Sequence, residues 1–514
     1  MKRQIFKPYA PQQAMLLPPS VEELIPESHL VRVVSKMIEE LDKRVMERQY
    51  KGGGTSAYDP QMLLKVIVYA YTQRVFSSRR IAKELRENIN FMWLSGMNRP
   101  DHRTINRFRG KIMKGVINEV FYGVVEQLME EGYVNLDSYF VDGTKIEANA
   151  NRYTFVWRKS TEKNKVKLQE KVEQLLEEID EIEAAEEEKY GEADLEEVGE
   201  GKQIDTEKLK EAARKINERL KQKPEEKELQ KAKKKLESDF IPRLEKYERY
   251  EEVFKGRNSF CKTDTDATFM RMKEDHMLNG QLKPGYNVQM GTENQFVIGY
   301  SIHQRPGDTA CLIPHLEQVR AQLGTLPKKI IADAGYGSEE NYQYLENENL
   351  ENYVKFNLFH KEQKRSWRKQ RFRVENWEYD KVNDEYICPA NEKLRFIRET
   401  HKKTDLGYVS KLREYECQNC SGCPMKSECT RAAGNRSIRV NLTLNQYRDQ
   451  ARSNLLSDQG RKLSIQRNVD VESVFGQIKH NWGFRRFLLK GLEKVNIEWG
   501  ILSIAHNIAK LAVQ

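Results

Sequence analysis

The sequence predicts a mixed α/β protein with a helical N-terminal domain, an inserted antiparallel coiled coil and a small Cys-rich β insertion. Three observations carry that expectation. Two apolar, β-prone runs, Tyr139-Phe140-Val141 and Ile330-Ile331-Ala332, each lead into an aspartate with glycine close behind, Asp142-Gly143 and Asp333-Ala334-Gly335. Apolar residues step by three and four through a Lys/Glu background between about 160 and 250. Cys417, Cys420, Cys423 and Cys429 crowd into one short stretch.

The totals set bounds on function. At 514 residues the chain exceeds a single core, so several domains or insertions are expected. Charged residues make up 32% and mean hydropathy is -0.79. No run of about 18 apolar residues and no signal-peptide h-region occurs, which excludes a membrane partner and predicts a cytoplasmic protein. The net charge of +9 permits nucleic-acid binding without requiring it. Seven cysteines in such a compartment point to metal ligation or buried thiols before disulfides.

Residues 1–130 read as helical. Pro60 to Tyr71 is apolar enough for a buried helix, and Ser77 or Ser78 caps a helix whose stripe is Ile81, Ala82 and Leu85. Past the breaks at Gly96 and Pro100, Asp101 caps a second short helix that exposes Arg103, Arg107 and Arg109. Two short helices with basic outer faces across a turn predict a helix-turn-helix and DNA contact; an ordinary bundle with solvated arginines is the plainer alternative. In 131–157 a strand runs from Tyr139 and brings Asp142 to its end, unless Asp-Gly is simply a hairpin turn. The seam of 158–257 is Leu168, Val172, Leu175, Ile179 and Ile182, then, past an acidic loop at 191–201, Leu209, Ala213, Ile216 and Leu220. A third run has Leu229, Ala232, Leu236, Leu244 and Tyr247. The sheet resumes in 258–360, with strands Tyr286–Met290 and Phe296–Ile302 around a Thr292-Glu293-Asn294 turn, and a helix near Ile313–Leu323. A buried strand follows, ending in Asp333, with a helix from about Ser338. The glycines there are a weak phosphate-loop signal because no GK[ST] follows.

In 361–452 short strands surround the thiols. Cys388, Cys420, Cys423 and Cys429 suit a tetrahedral Zn2+ site stapling a small β unit; reduced thiols in a redox-dependent lobe are the alternative. Cys417 is a surplus fifth candidate, while Cys261 and Cys311 read as buried apolar residues. In 453–514, Val471, Val474, Phe475 and Ile478 form one apolar helical stripe. Glu472 and Lys479, seven apart, share a neighbouring flank with the bare Gly476 between them, and the basic Arg485, Arg486 and Lys490 follow. Alone, that is as well explained by a surface charge pair. With Asp142 and Asp333 it becomes the carboxylate trio of a two-metal phosphoryl-transfer site, holding Mg2+ or Mn2+ by oxygen ligands with Lys479 on the phosphate. Trp482 reads as core before base-stacking, and nothing physical assigns Asp264 or Asp266 to metal.

The segments Val141-Asp142-Gly143-Thr144-Lys145-Ile146-Glu147, Gly285-Tyr286-Asn287-Val288-Gln289, Ala332-Asp333-Ala334-Gly335-Tyr336 and Val471-Glu472 through Ile478-Lys479 resemble those of bacterial insertion-sequence DDE transposases of the eleven-eighty-two family. The resemblance covers nearly the whole chain. It implies a ribonuclease H-like core with Asp142, Asp333 and Glu472 as Mg2+ ligands, double-stranded DNA as partner, a homodimer in the synaptic complex and a nucleoid-associated location. Of the wider Tyr-x2-Arg-x3-Glu-x6-Lys signature, Lys479 is in register. Ile465 and Asn468 hold the Tyr and Arg positions, and Arg467, one residue early, stands in as a DNA contact. A ribonuclease H-like nuclease or resolvase, and a domesticated DNA binder without catalysis, are the competing readings.

Overall fold

The computed structural model describes residues 19–53, 56–190, 205–222, 226–272, 281–404 and 407–514, with side chains of 180–190 excepted. At its centre is a six-stranded mixed sheet: β1 (Ser138–Glu147), β2 (Thr268–Arg271), β3 (Leu282–Glu293), β4 (Phe296–His303), β5 (Lys329–Ala332) and β6 (Glu351–Val354). β4 and β2 share the outer edge of β3, and the order then runs β3-β1-β5-β6. β3 is antiparallel to β1, β2 and β4, whereas β1, β5 and β6 are mutually parallel. Ile330 to Ala332 of β5 and Asn352 to Val354 of β6 are buried between layers, as expected of parallel strands. This arrangement is compatible with a ribonuclease H-like core.

Two details depart from the sequence reading. β1 passes straight through Asp142 and Gly143, pairing with Met290 and Gln289 of β3, so Asp142 sits mid-strand and no hairpin turn forms. The β3–β4 turn is Asn294-Gln295, both at positive φ (53° and 64°), while Thr292 and Glu293 remain in the ladder. A two-residue turn with both centres left-handed matches strand twist.

The long helix Leu492–Leu511 lies on β4 and the helix Pro60–Thr72, and one apolar core runs from Ile25 through the sheet to Ile508. In the insertion the described helices run Arg158–Tyr190, Thr206–Gln222 and, through a π turn at Leu236–Phe240, from Lys227 to Phe254. Leu168, Val172, Leu175 and Ile179 pack with Leu209, Ile216, Leu236 and Leu244 in a separate cluster, so all three apolar runs feed one multi-helix core. The side chain of Ile182 and the 191–201 loop lie outside what is described. A five-stranded antiparallel sheet spans Glu378 to Val440, with a core of Trp377, Tyr386, Leu394, Tyr415, Cys417 and Cys420. Among the described residues no helix is long and apolar enough to cross a membrane.

Two histidines, His315 and His506, are buried within this fold, and His303 is partly buried. His315 is in hydrogen-bond contact with Tyr139 Oη and Ser301 Oγ, both at 2.8 Å, and Ser301 also meets His303 at 2.7 Å. His506 faces the Gln295 carbonyl at 3.0 Å. Burial pulls His303 and His506 down to about 4 and His315 to about 3. The unfolded chain therefore binds more protons than the folded one between about pH 6.5 and these values, and stability falls as pH drops through that window. Denaturant melts between pH 7 and 5 should show losses approaching about 1.4 kcal/mol per pH unit for each histidine. His315→Gln or His506→Gln should flatten the slope; an unchanged slope in both would count against these groups as its source.

Candidate active site

The site is assembled by sheet register. Phe140 lies beside Ile331 and Val141 beside Ala332, so one further step along β1 and β5 sets Asp142 next to Asp333. Ala332 likewise lies beside Val354, and the next step sets Lys355 on the other flank of Asp333; its amide donates to the Ala332 carbonyl at 3.2 Å. Laterally adjacent residues sit about 4.8 Å apart and face the same way. Acid, acid and cation thus form a row across β1, β5 and β6, at the carboxyl ends of β5 and β6 and midway along β1.

Above this row lie two consecutive helices, Asp458–Val469 and Val471–Gly476. The second is held down by its expected stripe: Val471, Val474, Phe475 and Ile478 are all buried. Glu472 is thereby turned toward the acids, and the chain winds one wide π turn, Gln477–Asn481, that delivers Lys479. A Cβ on Gly476 would meet nothing within 4 Å, so the flank between Glu472 and Lys479 is open. Asp142, Thr144, Asp333, Arg467, Glu472 and Lys479 line one cavity of about 400 Å³.

Cations tie the cavity together. Arg467, only 5% exposed, reaches Asp142 Oδ1 at 3.3 Å and Glu472 Oε1 at 3.0 Å, while its buried Nε has no partner. Lys479 donates to Thr144 Oγ1 at 3.2 Å, two residues along β1 from Asp142. Burial draws the Lys355 ammonium down, Arg467 adds to that, and Asp333 and Glu472 oppose it. Behind β1, Asp308 accepts from Asn287 Nδ2 at 2.8 Å and Gln289 Nε2 at 2.9 Å. A Cβ on Gly143 would lie 2.5 Å from Asp308 Oδ1, so only glycine lets β1 pass here. Thr309 donates to the Gly335 carbonyl at 2.7 Å and Tyr336 to Gln289, fixing the loop that carries Asp333.

Three carboxylates facing one open cavity are the oxygen donor set that Mg2+ prefers. The Arg467 guanidinium occupies the space between Asp142 and Glu472, where a cation is called for. Among the described residues no three His, Cys, Asp or Glu side chains are already gathered as a ligand set.

Comparison with known proteins bears on this arrangement. The family described as Transposase DDE domain matches residues 387–512, the part that carries Glu472 and Lys479, and the family described as Transposase domain (DUF772) matches residues 19–111. Two curated proteins called "Probable transposase for insertion sequence element ISH11", from two strains of Halobacterium salinarum, are 32% identical over 98 residues. Together these matches support an insertion-sequence DDE transposase. The similarity spans 19% of this chain and 28% of each relative. No solved structure matches.

The remaining sequence-predicted residues fall in three places. In the N-terminal domain Arg103 and Arg107 are exposed on His102–Arg107, and Asp101 caps that helix by accepting from Thr104 N at 2.7 Å. A third helix, Ile89–Leu94, lies between the two expected ones. Arg109 is not on the surface: it is 3% exposed and donates to Tyr71 Oη at 2.8 Å and the Phe76 carbonyl at 2.9 Å. Near the C-terminus Arg485 and Lys490 are exposed; Arg486 is exposed too, but donates to the carbonyls of Ala148 and Ala150 at 3.2 and 3.1 Å. Arg467, expected as a DNA contact, is buried against the acids. Trp482 is core, with His506 at 6.2 Å. Asp264 accepts from Tyr286 Oη and Asp266 from Leu492 N, which occupies both acids structurally.

In the lobe, Cys388, Cys417, Cys420, Cys423 and Cys429 line one small cavity, and the Arg436 amide donates to Cys420 Sγ at 3.4 Å. Cys261 and Cys311 are fully buried elsewhere. Sequence reasoning missed Lys355, Thr144 and Asp308. Lys355 follows a strand, Glu351–Val354, too polar in sequence to have signalled it.

Proposed function

We propose that this chain is a DNA transposase that binds the ends of its insertion sequence, cuts them and joins the 3′ ends to target DNA. The observation that carries the reading is the convergence of Asp142, Asp333 and Glu472, from three separated segments, on one cavity flanked by lysines. The three acids would hold Mg2+ or Mn2+. The chemistry such ions supply when bound is activation of the attacking hydroxyl and stabilisation of the leaving 3′ oxygen. The chain's own residues do the rest. Lys479, braced by Thr144, and Lys355 on the opposite side bind the phosphate at the scissile bond. Arg467 neutralises Asp142 and Glu472 and so keeps neighbouring carboxylates from repelling one another. Arg103, Arg107, Arg485, Arg486 and Lys490 contact the duplex outside the cavity. Two ends must be brought together, so the working form is a homodimer on double-stranded DNA.

The test is Mg2+-dependent cleavage and strand transfer on the element's own end DNA. Joined products support transposition. Cutting without joining favours a nuclease or resolvase, and binding without cutting under Mg2+ or Mn2+ favours a domesticated binder.

A structural Zn2+ in the Cys lobe belongs to the same proposal. Five thiols around one cavity, at the end of a small sheet with a modest core, suit a metal staple. Purified protein should carry about one zinc per chain, and Cys423→Ser should lose it and lower the melting temperature of the lobe. Protein that contains no zinc and is indifferent to chelator would leave the thiols simply reduced.

A further inference from the structure

Directly after Lys355 the chain enters its most basic exposed stretch. Residues 361–373 hold seven Lys and Arg side chains and a single acid, Glu362. That acid is taken by Arg452 at 2.6 Å. Lys361, Lys364, Arg365, Arg368 and Lys369 are all exposed, and none forms an ion pair among the described residues. Like charges this close repel, so the segment needs other forces to hold its shape. Those are visible. Trp367 is buried and its carbonyl accepts from Asn376 Nδ2 at 2.9 Å. Trp377 Nε1 donates to the Arg371 carbonyl at 2.8 Å, and the Arg373 guanidinium stacks 3.7 Å over Trp367. Phe359 anchors the near end in the main core. The shape is set by aromatic anchors and amide bonds, and the charges are left over for a partner.

We infer that Lys361, Lys364, Arg365, Arg368 and Lys369 form a phosphate-binding surface for the duplex flanking the bond held at the acid row. The partner is double-stranded DNA, and the inference rests on the transposase reading for its substrate. Geometry supports the placement. Lys355 stands beside Asp333, and Lys361 is six positions further along, a reach of at most about 20 Å, or about six base pairs of duplex. A strand leaving the cavity past Lys355 meets these cations within its first turn. A preorganised polycation pays little ordering entropy on binding.

The experiment is the salt dependence of binding to a fluorescent duplex of about 40 base pairs carrying the element's own end, by anisotropy. Wild type is compared with a variant carrying Lys361→Gln, Lys364→Gln, Arg365→Gln, Arg368→Gln and Lys369→Gln. A control removes the same charge from the helical insertion through Lys163→Gln, Lys167→Gln, Lys171→Gln, Lys231→Gln and Lys234→Gln. The slope of log K against log[salt] should fall in magnitude by about 3 to 5 in the first variant, at about 0.9 per phosphate contact, and by less than about 1 in the control. At about 150 mM salt the first variant should bind at least about 30-fold more weakly. Circular dichroism and melting establish that both variants are folded. A slope within about 1 of wild type, or an equal drop in the control, overturns the inference. Strand transfer by wild type is run alongside. If it joins DNA and the slope is unmoved, this surface fails alone; if it neither cuts nor joins yet the slope falls, the reaction fails and the surface stands.

Discussion

Glu472→Gln is expected to lower Mg2+-dependent cleavage by more than about 1000-fold while leaving fold and DNA binding in place. The substitution keeps shape and removes one charge. Glu472 is half exposed and pairs with Arg467 at 3.0 Å, so its contribution to stability is that of a surface pair, about 0–1 kcal/mol. Its contribution to chemistry is different in kind, because a neutral amide is a poor ligand for a hard cation. Asp142→Asn should cost similar activity but behave differently in melting. Asp142 is only 10% exposed at its side chain and shares Arg467, so its loss leaves a buried guanidinium with one carboxylate instead of two. The pair therefore separates metal chemistry from charge balance. Single-turnover cleavage, DNA affinity and thermal melts on the same preparations read it out. Cleavage by Glu472→Gln within tenfold of wild type would sink its assignment as a ligand.

The same residues show how far sequence reasoning reaches. The stripe of Val471, Val474, Phe475 and Ile478 was legible because a helix that buries one face must repeat at its own period, and that repeat also fixed where Glu472 points. Asp333 was legible as the end of an apolar strand. Asp142 was legible as a carboxylate in a site but misplaced along its strand. Asp-Gly commonly turns a chain, and it takes Gln289 and Asp308, far along the sequence, to explain why Gly143 must lack a side chain inside a continuous ladder. Arg109 failed for the same reason. Helical spacing put it among exposed arginines, whereas its partners Tyr71 and Phe76 come from another helix and the turn after it. Local pattern reveals which face is apolar. It does not reveal which distant group satisfies a buried charge.

Arg109 carries the largest stability prediction: Arg109→Met should destabilise the protein by about 3–5 kcal/mol. The guanidinium is 3% exposed in the junction between the N-terminal helices and the long helix Leu492–Leu511. In that helix Glu498 is fully buried; Oε2 accepts from the amides of Leu488 and Leu489 at 2.9 and 3.0 Å, and Oε1 has no partner. Burial pushes the Glu498 carboxyl up, and the charge of Arg109 holds it down. Removing Arg109 leaves that carboxylate uncompensated, so the folded variant favours its protonated form more strongly. A carboxyl whose folded pKa exceeds its unfolded value binds the extra proton in the native state. Its contribution to stability is thus lost as pH rises above the ordinary value of 4.5. The deficit of Arg109→Met against wild type should be larger at pH 8 than at pH 5.5, a comparison in which the histidine term cancels. Glu498→Gln on its own keeps the acceptor for both amides and should cost less. Added to Arg109→Met it should restore part of the loss, giving a coupling of about 1–3 kcal/mol in a double-mutant cycle. Strict additivity, with a deficit independent of pH, would mean that the two buried charges do not sense each other. The junction between the N-terminal helices and the acid-bearing core would then rest on apolar packing alone.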